Sequence, residues 1–147
     1  MLAAVLPPNG DDPRQIGAGE VLDGSTTDIV LVARQAGAGL SLITTDAVID
    51  GSNYLWEKIL VPFGRQPFFE IVASGVNLGA AVGVTVSLYT TTNTLVAGSA
   101  LTATSVAPVR VRSAALTLTD NTEYLVKFKT SGLLGSAFVY SARILLR

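Results

Sequence analysis

The chain has 147 residues, 10 of them basic and 11 acidic, for a formal net charge of −1. Charged residues make up only 14% of it, against about 25% in a typical soluble domain. It contains neither cysteine nor histidine, which excludes a disulfide framework, a thiolate nucleophile, a Cys/His zinc site, a Ser-His-Asp triad and an imidazole base.

Residues 1–26 hold three of the six prolines and four of the fourteen glycines, and no period of 2 or 3.6 persists in them. They predict an extended N-terminal arm, spanning roughly 85 Å if fully drawn out. The apolar tip Leu2, Val5 and Leu6 and the acids Asp11 and Asp12 suit an arm that docks on a neighbour. The apolar start ends at Pro7-Pro8 with no basic flank, so it does not read as a signal segment. No apolar run approaches the roughly 20 residues of a membrane span, and no membrane partner is expected. Arg14-Gln-Ile-Gly-Ala-Gly19 recurs as Arg34-Gln-Ala-Gly-Ala-Gly39, but Leu22 and Leu42 stand where a dinucleotide fingerprint needs glycine.

From residue 27 onward the chain predicts strands. Asp28–Ala33 is β-branched, and Leu40–Thr44 follows a Gly-rich turn. Asn53–Val61 puts Tyr54, Trp56 and Leu60 on one parity. Pro67–Ser74 is apolar on both parities, as a strand covered on both faces would be. In 82–90, Val82, Val84, Val86 and Leu88 alternate with Gly83, Thr85, Ser87 and Tyr89. A turn around Asn93 leads to a short strand at 95–97. Val106–Arg112 sets Val109 and Val111 inward against Arg110 and Arg112. Thr122–Thr130 sets Tyr124, Val126 and Phe128 inward against Lys127 and Lys129. Ser136–Leu146 closes the chain with Phe138, Tyr140 and Ile144 on one side. Eight or nine short strands without an amphipathic helix predict an all-β fold. The expectation is a single β-sandwich over 27–147, a jelly roll in its specific form, with another Greek-key sandwich as the alternative.

The candidate sites are few. Glu57 and Glu70 lie in neighbouring apolar segments and are the carboxylates that could face each other as a glycosidase pair, against the simpler alternative of solvated or Arg-paired side chains. Asp46, Asp50, Gly51 and Asn53 form the densest oxygen cluster, without calcium-loop spacing, and suit a turn. No catalytic residue, metal or cofactor is expected. Trp56 reads as core, and Tyr89, on the polar parity, is the better exposed ring for a glycan. Arg110, Arg112, Lys127 and Lys129 are expected to form one outward basic face. The net charge opposes a nucleic-acid partner. Residues 1–57 hold eight acids and two bases, and residues 58–147 eight bases and three acids. That asymmetry can be satisfied within one sandwich or between subunits, with the basic face meeting an acidic arm.

The runs VTVSLYTTTNTLVAGSALTAT, VRVRSAALTLTDNTEYLVKFKTSG and SAFVYSARILL resemble jelly-roll modules of phage virion proteins, namely head decoration (cement) proteins and tail-fibre modules. They are also similar to carbohydrate-binding modules. The resemblance implies a non-enzymatic structural protein of the virion. Such a protein would self-associate as a homo-oligomer and contact a major capsid protein. The alternative it implies is a glycan- or receptor-binding module, alone or on a tail fibre, with an extracellular location outside the virion.

Overall fold

The computed structural model describes residues 28–33 and 40–147. The arm at 1–26, with Leu2, Val5, Leu6, Asp11 and Asp12, and the second Arg-Gln-Ala-Gly-Ala-Gly run lie outside the described residues.

Among the described residues, ten strands form two five-stranded antiparallel sheets packed face to face, an all-β sandwich. The first sheet runs β1 (Asp28–Val32), β10 (Ser136–Leu146), β4 (Pro67–Asn77), with β8 (Val109–Ala115) and the short β5 (Ala80–Ala81) both paired to β4. The second runs β9 (Thr122–Thr130), β6 (Gly83–Thr90), β7 (Leu101–Thr104), with β2 (Ala47–Val48) and β3 (Tyr54–Trp56) both paired to the outer side of β9. The chain changes sheet between β1 and β2, β3 and β4, β5 and β6, and at every step from β7 to β10.

The core lies between the sheets and follows the alternation of the strands. Val84, Val86 and Leu88 of β6 are fully buried, and Tyr124, Val126 and Phe128 of β9 lie beside them. Phe69, Ile71 and Ala73 of β4 face them from the other sheet. β4 is buried on both parities, as expected of its composition, because Glu70 and Ser74 on its outer side are also covered.

Buried serines close the gaps that the ladders leave. The Ser99 side chain is fully buried. Its Oγ accepts from the Leu88 amide at 3.0 Å and lies 2.8 Å from the Val96 carbonyl, to which it donates. Ser99→Ala would leave the Leu88 N–H with no acceptor inside the core. We expect it to lose about 1–3 kcal/mol in urea unfolding, and an unchanged midpoint would contradict this role.

Several predicted elements are corrected. Leu40–Thr44 forms no strand: Leu40 makes an isolated bridge to Ala137 and the Ile43 carbonyl accepts from Thr130 N at 2.7 Å, while Leu95 makes an isolated bridge to Tyr89. The strand predicted over 53–61 stops at Trp56; Lys58–Leu60 is a 3-10 turn that throws Ile59 and Leu60 outward. β8 starts at Val109, immediately after Pro108, which has no amide to donate to a ladder. β7 is additional to the predicted elements, although Leu101 and Ala103 alternate inward with Thr102 and Thr104. In β10 a register shift between Val139 and Ser141 inserts one residue. Phe138 and Tyr140 therefore face outward, stacked with centroids 6.0 Å apart, while Ala142 and Ile144 face the core. The predicted common side for Phe138, Tyr140 and Ile144 is broken by this bulge.

Candidate functional site

The four predicted basic residues do not share a face. Arg110 and Arg112 point outward as their parity requires, but β8 belongs to the first sheet. Lys127 and Lys129 point outward from β9, in the second sheet. The pairs stand on opposite outer surfaces of the sandwich. Alternation fixes inside against outside, but not which sheet a strand joins.

The two arginines share a local acid. The Glu70 side chain, only 4% exposed, sits between them. Its Oε2 accepts from Arg112 Nε at 3.2 Å and from Arg112 Nη2 at 3.0 Å. Arg110 Nε lies 3.6 Å from Oε1. Arg143 faces Glu70 across the β10 ladder and reaches Asp28 at 3.4 Å, and Arg147 reaches Asp28 at 3.0 Å. Part of the charge asymmetry along the chain is thus satisfied within one sandwich. Arg110 keeps 68% of its side chain in solvent and is the most accessible cation of this row.

Glu57 and Glu70 do not face each other. Glu57 precedes the 3-10 turn after β3 in the second sheet, whereas Glu70 lies on the outer side of the first. The glycosidase pairing therefore has no geometric basis, and the Arg-paired alternative for Glu70 is the one observed.

On the outer surface of the second sheet, Tyr89 donates to Asp46 Oδ2 at 2.8 Å. Lys127 lies over its ring, 4.4 Å from the centroid, and also bonds Asn93 Oδ1. Asp46 is thereby a phenol acceptor, Asp50 is exposed in a turn, and Asn53 bonds Glu123. Among the described residues no group of three or more Asp or Glu side chains gathers as a metal site. Trp56 is buried at 4% exposure, and the ring of Tyr89 is capped by Lys127, so neither offers a bare stacking platform.

The hydrogen bond to Asp46, then burial, then the charge of Asp46 raise the Tyr89 phenol above its ordinary value of 10.0. A raised folded-state value means that the stabilisation is complete below the unfolded value near 10 and is lost as pH rises through the folded one. Spectrophotometric titration should therefore show Asp46→Asn lowering one tyrosine's apparent pKa, with less loss of stability above pH ~10 than in the parent chain. Identical titration curves would remove the Asp46 contribution.

Sequence reasoning missed the exposed apolar loops. Ile59 (88% exposed), Leu60 (61%) and Phe63 (104%) occupy the connection between β3 and β4. They adjoin a cleft of about 320 Å³ lined by Trp56, Val61, Arg65 and Leu116 among others. Leu78, Leu133, Leu134 and Val106 are exposed at the opposite end. The signal available was a bulky apolar residue inside a turn flanked by Gly or Pro. Among the described residues no helix is long and apolar enough to cross a membrane. No family model matches the chain, and no curated protein matches it.

Proposed function

We propose that the protein is a non-enzymatic structural component that self-associates, and in its most specific form a decoration (cement) protein on a phage capsid lattice. The observation that carries this is the exposure of large apolar side chains in the loops at both ends of a well-packed sandwich. Clusters of this kind on a soluble domain mark association surfaces. The repeated crossing of the chain from one sheet to the other, at every step from β7 to β10, adds support, because jelly rolls are wound in this way. In this role Arg110 and Arg112 serve one lateral contact and Lys127 and Lys129 another, with the acidic arm of a neighbour as one partner and the capsid protein as the other.

Native mass measurement over a range of concentrations tests self-association, and protein composition of purified particles tests the virion location. A chain that remains monomeric and binds a defined glycan on an array would replace this function with the carbohydrate-binding alternative.

A further inference from the structure

The end of the sandwich formed by the turn 77–80 and the loops 105–108 and 131–135 has two properties found together nowhere else among the described residues. Its large exposed side chains are apolar, Leu78 at 99%, Leu134 at 72%, Leu133 at 66% and Val106 at 53% exposure, among small neutral ones such as Ser131 and Ser136. The described segments that build it, residues 40–45, 75–83, 101–109 and 130–142, contain no Asp, Glu, Lys or Arg. Indeed the chain carries no charge from Ile71 to Val109.

The loops are tied into one surface. Gly75 N donates to Ser105 O at 2.9 Å and Val82 N to Gly75 O at 2.9 Å. Ser131 N donates to Gly83 O at 2.9 Å, and Gly83 N to Ser131 Oγ at 3.1 Å. Gly135 packs against the Val76 carbonyl and Asn77. A surface held in this way loses little freedom on binding.

Leu78 also holds a backbone φ of +50°, in the left-handed region where a leucine costs roughly 1–2 kcal/mol. Leu78 and Gly79, both at positive φ, are the central residues of the turn that pairs Asn77 with Ala80 and Val76 with Ala81, so the hairpin holds the exposed leucine in place.

We propose that this end, without charge among the described residues, is the surface through which two copies of the chain pair, each presenting the same loops to the other. The proposal rests on the self-association put forward above and names its surface. The occupant is a like end, not the opposite one. That end carries Lys58, Arg65 and Asp120 near Ile59, Leu60 and Phe63, and docked on a surface without described charge they would lose water and gain no opposite charge from the partner. Two like ends have no described charge to desolvate or oppose. Four strands about 4.8 Å apart in two sheets about 10 Å apart, with flanking loops, give an end face of roughly 500 Å². Two such faces bury about 1,000 Å², at the lower limit for a specific interface. The pairing is therefore weak and reversible, suited to reinforcement by other contacts in an array.

The test is sedimentation of the full chain from about 5 to 500 µM, a range suited to a small interface, with the variant Leu78→Asn, Leu133→Ser, Leu134→Ser beside it. Asparagine accepts a positive φ better than leucine, so the variant should melt no lower than the parent chain while losing the apolar tips. The parent should form dimers whose dissociation constant is unchanged or lower when salt rises from about 0.05 to 0.5 M, since no charge pair is screened. The variant should dimerise at least about tenfold more weakly, a loss set by burying several leucines.

Equal dimerisation by the variant overturns the proposal, and if that association is salt-sensitive, self-association itself survives on the charged faces. Open-ended growth of species would point to head-to-tail contact and also overturn it. A parent chain that stays monomeric overturns both the surface and the self-association. Monomers that bind phosphatidylcholine vesicles only when Leu78, Leu133 and Leu134 are present would make lipid the occupant instead.

Discussion

Glu70→Gln should lower stability by about 1–3 kcal/mol, a large effect for a side chain on the outer surface of a sheet. Glu70 is nearly covered, and Arg112 donates two hydrogen bonds to one of its oxygens. Glutamine keeps the volume but removes the charge, and its amide NH2 turns one acceptor into a donor beside two guanidinium groups. The side chains of Arg112 and Arg110 are 47% and 68% exposed and recover water, which keeps the loss below that of a fully buried pair. A double-mutant cycle in urea unfolding separates the contributions. Coupling of Glu70 with Arg112 should exceed its coupling with Arg110, whose nearest approach is 3.6 Å. Equal stability of the Glu70→Gln variant and the parent would show that the row does not contribute to folding.

Gly135→Ala should be more damaging still, by about 3 kcal/mol or more, a size reached only when backbone strain and a clash coincide. Its φ is +104°, a region nearly closed to other residues. A Cβ there would overlap the Val76 carbonyl oxygen and stand 2.8 Å from Asn77 Cβ. Neither neighbour can withdraw cheaply, because Ser136 pairs with Val76 at the start of the longest ladder in the sheet. Gly132, three residues earlier in the same loop, is the control: a Cβ there meets nothing within 4 Å, so Gly132→Ala should change stability by less than about 0.5 kcal/mol. Similar melting of both variants would mean that the loop yields without cost.

The strands that alternate cleanly were legible in the sequence. Val84, Val86 and Leu88, and Tyr124, Val126 and Phe128, lie inward as their period requires. What alternation cannot carry is a change of phase or of sheet. The extra residue near Tyr140 reverses half of β10, and no composition marks it. Arg110 and Lys127 both point outward from correctly phased strands, yet they stand on opposite surfaces. The end without charge among the described residues was invisible for a related reason. Leu78, Val106 and Leu133 come from segments about thirty residues apart in sequence, and only the strand order brings them together. The arm lay beyond any such check, since residues 1–27 are outside the described part.

The pairing of β1 with β10 sets the order in which the molecule can be made. Asp28 stands opposite Leu145, so the strand between β1 and β4 leaves the ribosome after every other described strand. Until it arrives, the first sheet is two separate pieces, and closing it joins residues more than a hundred positions apart. Contacts of such long range make folding slow. The second sheet, whose strands all lie between Ala47 and Thr130, is complete earlier and would wait with its inner face uncovered. A nascent chain stalled before residue 136 would therefore be a chaperone substrate, while a chain extended through residue 146 needs only the insertion of one strand to close the first sheet.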